Sequence, residues 1–144
     1  MPFVSITRLR VRAWRFMPPF LWHAFASQRQ AKRSPGFLQG MVSTAPGRAF
    51  WTATVWRDDA AMKQFRDAAA HKSAMPKLLE MCDEASLAHW TQDGDRVPAR
   101  EEMVERMRSM GRLSKVRHPS SGQQAGQTVP DGRPPAAAPT FGPR

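Results

Sequence analysis

The side chains able to do chemistry are few: four histidines, one cysteine and twelve carboxylates in 144 residues. Of the histidines, His23, His71 and His89 fall in expected structured segments, with no carboxylate or cysteine at ligand spacing, so no metal site is expected. The acidic pairs Asp58-Asp59 and Asp83-Glu84 stand at expected helix ends, where capping and the helix dipole account for them. Cys82 continues the series Met75, Leu78, Leu79 at i, i+3, i+4, i+7 and reads as a small buried hydrophobe; a lone cysteine excludes an internal disulfide framework. No nucleophile elbow or glycine-rich phosphate loop is present. His71 is the best base or ligand: it ionises near neutral pH, and a helix capped by Ser73 just beyond it would hold it neutral. Trp56 would wall that site, and Trp22, His23, Phe25, Trp51 and Phe65 would line the ligand space. At these periods the same aromatics more often serve as core.

These residues must be placed by a small set of elements. Arg48 to Trp56, RAFWTATVW, alternates Phe50, Thr52, Thr54 and Trp56 on one face with Ala49, Trp51, Ala53 and Val55 on the other. Neither face is polar, so the strand belongs in a sheet packed on both sides. Asp58 or Asp59 caps the helix that follows, with Met62, Phe65 and Ala69 on its inner stripe. Upstream, Phe3–Ala13 reads as a strand with Arg8, Arg10 and Arg12 on one face, open to water or paired with acids. Pro18-Pro19 opens a helix to Arg33 with Phe20, Leu21, Ala24, Phe25, Gln28 and Ala31 toward the sheet. Residues 37–44 form a second strand, joined to the central one by the Ala45-Pro46-Gly47 hairpin. Downstream come a helix from Ser73 to Cys82, a strand over 86–92, and a helix from Val97 to Met110 with the stripe Met103, Val104, Met107, Met110. From Ser114 to Arg144 the composition is Ser, Gly, Gln, Pro and Ala, which predicts a disordered tail.

The formal charge is +10, unevenly spread: residues 1–35 hold seven bases and no acid. Such an excess permits contact with nucleic acid or anionic lipid, or reflects a solvated surface. Nucleic-acid binding on the sheet would need an aromatic-glycine signature that RAFWTATVW lacks, so it is not expected. No apolar run reaches the length of a membrane span and no secretory signal pattern is seen, which predicts a cytoplasmic location.

The order β-α-β-β-α-β gives an α+β, ferredoxin-like domain over residues 2–93 with a four-stranded antiparallel sheet, a helix at 97–112 and a tail over 114–144. Its second sheet face would leave Trp51 or Trp56, with Met41 or Leu38, bare, and a second copy packed there would cover it. The Trp56-Arg57-Asp58 strand end, the Ala61-Met62-x-x-Phe65 helix, His71 and the closing His89-Trp90 resemble the dimeric α/β-barrel superfamily. Within it, Phe3 to Gln92 is similar to antibiotic-biosynthesis-monooxygenase-like proteins.

That resemblance implies a homodimer through the sheet faces and a pocket between sheet and helices for a small apolar or aromatic ligand. It also implies metal- and flavin-free oxygenation, a non-catalytic ligand-binding module, or haem binding. Haem-degrading relatives carry a first-strand Asn, a Trp in the second helix and a His about ten residues on; here Ser5 and Thr7, Phe65 and Met75 stand instead. The expectation is no cofactor, with haem as the alternative. Cofactor-free oxygenation would take His71 as base, Trp22, Phe25, Trp51 and Trp56 as walls, and an arginine to hold the substrate anion.

Overall fold

The computed structural model describes residues 1–143, without the side chains of Ala69 and Ala70; Arg144 of the expected tail lies outside the described residues. Strands β1 (Phe3–Val11), β2 (Phe37–Ala45), β3 (Ala49–Trp56) and β4 (Cys82–Thr91) form an antiparallel sheet of order β4-β1-β3-β2. Two short strands extend it, β5 (Arg112–Leu113) beside β4 and β6 (Thr140–Phe141) beside β2. The sheet therefore has six strands where four were expected. Both additions come from the segment after the domain, because the free backbone groups of an edge strand pair with whatever chain runs alongside.

Helices α1 (Met17–Arg33), α2 (Asp59–Arg66) and α3 (Ala69–Met81) lie on one face. Asp58 is the cap of α2, its Oδ1 accepting the Ala61 N–H at 2.8 Å. Gly36, at φ +84°, turns the chain from α1 into β2 where a Cβ would stand 2.7 Å from that of Ala61. Only glycine meets both demands.

The α2–α3 break falls earlier than expected. Ser73 is not a cap: α3 begins at Ala69 and holds Pro76 inside it. A side chain from another helix does the capping. Gln30 of α1 accepts the His71 N–H at 2.8 Å and donates to the carbonyls of Phe65 and Ala68 at 3.0 and 2.9 Å. Strand β4 also starts early, so Cys82 opens a strand and is not in the helix; burial pushes its thiol up to about 12.

On the sheet's other face Val4, Ile6, Trp51, Ala53, Val55, Ala88 and Trp90 form one apolar layer. Here a second copy was expected, and the chain covers the layer itself. The stripe Met103, Val104, Met107 of α4 (Arg100–Met110) and Val129 beyond it pack onto the tryptophans. The segment from Ser114, expected to be disordered, follows a path fixed by polar ties. Ser86 Oγ donates to the Thr128 carbonyl (2.9 Å), Gln123 Nε2 to the Ser114 carbonyl (2.8 Å), and Ser120 Oγ to Glu84 (2.7 Å). Composition registers scarce apolar residues but not such pairings.

The β1 arginines take the paired alternative. Arg8 is buried and meets Glu84 at 2.7 Å and Asp131 at 3.6 Å; Arg10 meets Glu84 at 3.3 Å and Asp83 at 3.5 Å. Arg12 meets Glu80 at 3.4 Å. Burial pushes the Glu84 carboxyl up, but the hydrogen bonds from Arg8 and Ser120 and the charges of Arg8 and Arg10 outweigh it and hold it low.

Candidate functional site

The helix-side face of the sheet is apolar at both ends and hydroxylated between. At one end Phe3, Phe37 and Trp56 pack with Ala31, Ala61, Met62 and Phe65. At the other, Leu9 and Phe50 pack with Phe20, Ala74, Leu78 and Cys82. Antiparallel register sets two cross-strand rows between these clusters. One runs His89–Ser5–Thr54–Gly40; the next runs Arg112–Leu87–Thr7–Thr52–Val42. Ser5, Thr7, Thr52, Thr54, Leu87 and His89 are only half-buried although they stand mid-sheet beneath a helical layer. A core packed for stability would fill these rows with branched aliphatics. Hydroxyls there give a partly accessible belt able to hydrogen-bond a ligand lying across it.

Its polar groups are internally connected. The hydroxyls of Thr7 and Thr52 bond each other across the strands. Trp56 Nε1 donates to Thr54 Oγ1 at 2.8 Å, which fixes the indole against the belt. His89 ends the first row with its ring 5.3 Å from that of Phe3. Burial lowers its pKa, the charges of Arg112 and Arg66 add to that, and the ring is neutral at pH 7. Arg112 closes the second row from the open edge.

Of the residues singled out from sequence, the structure brings three together. Trp56 stacks on Phe65 (5.0 Å, 30°), and Phe65 meets His71 at 4.7 Å. His71 Nδ1 stands 3.2 Å from the Arg66 carbonyl; a carbonyl only accepts, so Nδ1 carries the proton and Nε2 is the basic nitrogen. Burial lowers its pKa, as expected in direction, though burial rather than the helix terminus is the main cause.

The others lie elsewhere. Trp51 is fully buried on the opposite face beneath α4, so it cannot line a helix-side pocket. Trp22 and Phe25 line a groove of about 900 Å³ along the outer side of α1, and His23 is half-buried on the same helix. The stripe expected to face the sheet is narrower than expected: Phe20, Ala24 and Ala31 pack inward, with Phe20 against Phe50 at 4.8 Å, while Leu21 and Phe25 are exposed.

Ser5, Thr7, Thr52, Thr54, His89 and Arg112 were missed as site residues. Each strand's alternation was legible, but only register places them in common rows, and nothing local announces that Arg112 pairs beside Leu87. Among the described residues no group of three or more His, Cys, Asp or Glu could hold a metal ion. For haem the fit fails: the 900 Å³ groove has room, but no histidine, His23 included, is among the residues that line it.

No protein-family model matches the chain, and no curated protein matches it. Solved structures do. A conserved protein from Methanosarcina mazei superposes with TM-score 0.59 at 14% identity, over 65% of this chain and 94% of the other. SnoaB, a cofactor-independent oxygenase from Streptomyces nogalater, gives 0.54 at 14%, over 65% and 94%. A Nitrosomonas europaea protein provisionally named an antibiotic biosynthesis monooxygenase gives 0.58 at 12%, over 64% and 90%. These three structures are matched nearly whole, over a share of this chain close to that between the start of β1 and the end of β4. The chain has the fold of the antibiotic-biosynthesis-monooxygenase-like structures, as its sequence motifs led one to expect.

Proposed function

We propose that the protein is a cofactor-independent oxygenase acting on a small hydroxylated aromatic compound bound across the helix-side belt. The observation that carries this reading is the belt itself: four hydroxyls between two apolar clusters, with a neutral histidine and an arginine closing its rows. A flat, partly apolar ring system suits such a surface, its rim oxygens meeting the hydroxyls and its faces meeting the half-buried Phe3 and Leu9 at the belt's two ends. His89 takes the phenolic proton; a histidine held neutral accepts it without first losing one of its own. Arg112 stabilises the phenolate from the open edge. The electron-rich anion reduces dioxygen directly. A ring C–H becomes C=O with one oxygen atom, the other leaves as water, and a phenol becomes a quinone with no electrons drawn from the protein. The likeness in fold to SnoaB supports the reaction class.

His71, the base expected from sequence, stands across the Phe3–Trp56–Phe65 cluster from His89 and is tested alongside it. The experiment is dioxygen uptake by the purified protein with electron-rich polycyclic phenols, using isotopically labelled dioxygen. One labelled atom in the quinone is expected, with turnover falling as pH drops through a value below 6.5. His89→Gln should cut turnover by two orders of magnitude or more, the usual size for a lost general base. Uptake no faster than in buffer, or full activity in both His89→Gln and His71→Gln, would overturn the catalytic reading. Saturable phenol binding without turnover would leave a ligand-binding module in its place.

A further inference from the structure

We propose that the outer face of α1 is a docking surface for an anionic lipid membrane. Along this helix Pro18, Leu21, Trp22 and Phe25 follow one another at helical spacing, and Trp14 stands exposed in the short turn that leads into it. Trp14 is 71%, Trp22 73% and Phe25 65% exposed. Side chains of this size are ordinarily buried, and an exposed run of them on one helix face marks an interaction surface. Trp22 and Phe25 flank the groove described above, with Arg29 and Arg33 beside them. The fold leaves this face out of both cores, since α1 turns Phe20, Ala24 and Ala31 inward.

Charge selects the occupant. Residues 1–35 contain no acid, and Arg15, Arg29, Lys32 and Arg33 form no ion pair among the described residues, whereas Arg8, Arg10 and Arg12 are all neutralised by acids. The positive charge left unpaired in this part of the chain is therefore gathered beside the exposed aromatics. Tryptophan, phenylalanine and leucine on one side of a helix, flanked by free arginine and lysine, fit the boundary between acyl chains and anionic headgroups. A second copy of the same face would bring like charges together. No helix among the described residues is long and apolar enough to cross a membrane, so the association is peripheral. Such docking would set the belt beside a source of apolar substrates, but it does not depend on the catalytic reading.

The test is flotation of the full-length protein with vesicles of phosphatidylcholine alone and of phosphatidylcholine mixed with phosphatidylserine, read by tryptophan fluorescence. Binding is expected on the mixed vesicles only, weakening with salt, with a blue shift as Trp14 and Trp22 leave water. The double variant Trp22→Ser, Phe25→Ser should lose the shift and the binding. Arg29→Gln and Arg33→Gln should each weaken partitioning about fivefold, the effect of one basic residue near a charged surface. These positions are exposed, so unchanged melting of the variants would confirm intact folds. The proposal is overturned by absence of binding to the mixed vesicles, or by binding that survives the double variant. It is equally overturned if the wild type self-associates and the double variant restores the monomer, since the face would then belong to a second copy.

Discussion

Replacing Met107 by alanine tests whether the C-terminal extension is part of the folded unit. Met107 is fully buried in the layer that α4 lays over Trp51 and Trp90. Methionine-to-alanine changes at such sites cost roughly 2–5 kcal/mol, the transfer energy of the lost atoms plus that of the cavity. For a chain of this length each kcal/mol lowers Tm by roughly 2–4 °C, so a fall of about 4–20 °C is expected in a thermal melt. Urea denaturation should show a lower midpoint with little change in slope, because the same surface is exposed on unfolding. Exposed Met110 on the same helix is the control, and Met110→Ala should stay within about 0.5 kcal/mol of wild type. If Met107→Ala behaves like that control, α4 does not cover the sheet, and Trp51 and Trp90 are left for a second copy.

Two further outcomes follow from the polar ties and the tail. Glu84→Gln removes the nearer anion of the buried Arg8 guanidinium, leaving only Asp131 at 3.6 Å, and should cost up to roughly 3–5 kcal/mol at neutral pH. Because the folded Glu84 carboxyl lies below its ordinary 4.5, its contribution is full above 4.5 and is lost as pH falls through the lower folded value; acid titration of stability should be shallower in the variant. Gly40→Ala would put a Cβ 2.7 Å from the Phe141 ring, which stacks on Phe37. It should cost roughly 1–3 kcal/mol and free the last residues to protease, and a variant as stable and as resistant as wild type would show that β6 does not pair with β2.

The β1–β4 unit was legible because its signals are local: the two-faced alternation of β3, the Asp58 cap, the proline pair opening α1. What escaped depends on distant partners. The cap on α3 is the Gln30 side chain, about forty residues upstream, and local sequence offers only Ser73 in its place. The stripe expected on α1 is wider than the one the fold uses: Phe20, Ala24 and Ala31 pack inward, but Leu21 and Phe25 do not, and sequence alone does not separate Phe25 from Phe20. The tail looked too polar to pack, and its path rests on bonds such as Ser120 to Glu84 that composition does not encode. His71, Trp56 and Phe65 come together because they share one helix–strand junction that sequence can point to, whereas His89 and Arg112 join the belt only through register.

The most direct test of the belt as the ligand site is a backbone amide NMR titration with an electron-rich polycyclic phenol. Shifts are expected to concentrate at Ser5, Thr7, Thr52, Thr54 and His89, saturating together with a single Kd and abolished by Thr52→Val combined with Thr54→Val. Shifts confined to Leu21, Trp22 and Phe25 on the outer face of α1, with the sheet unmoved, would contradict it.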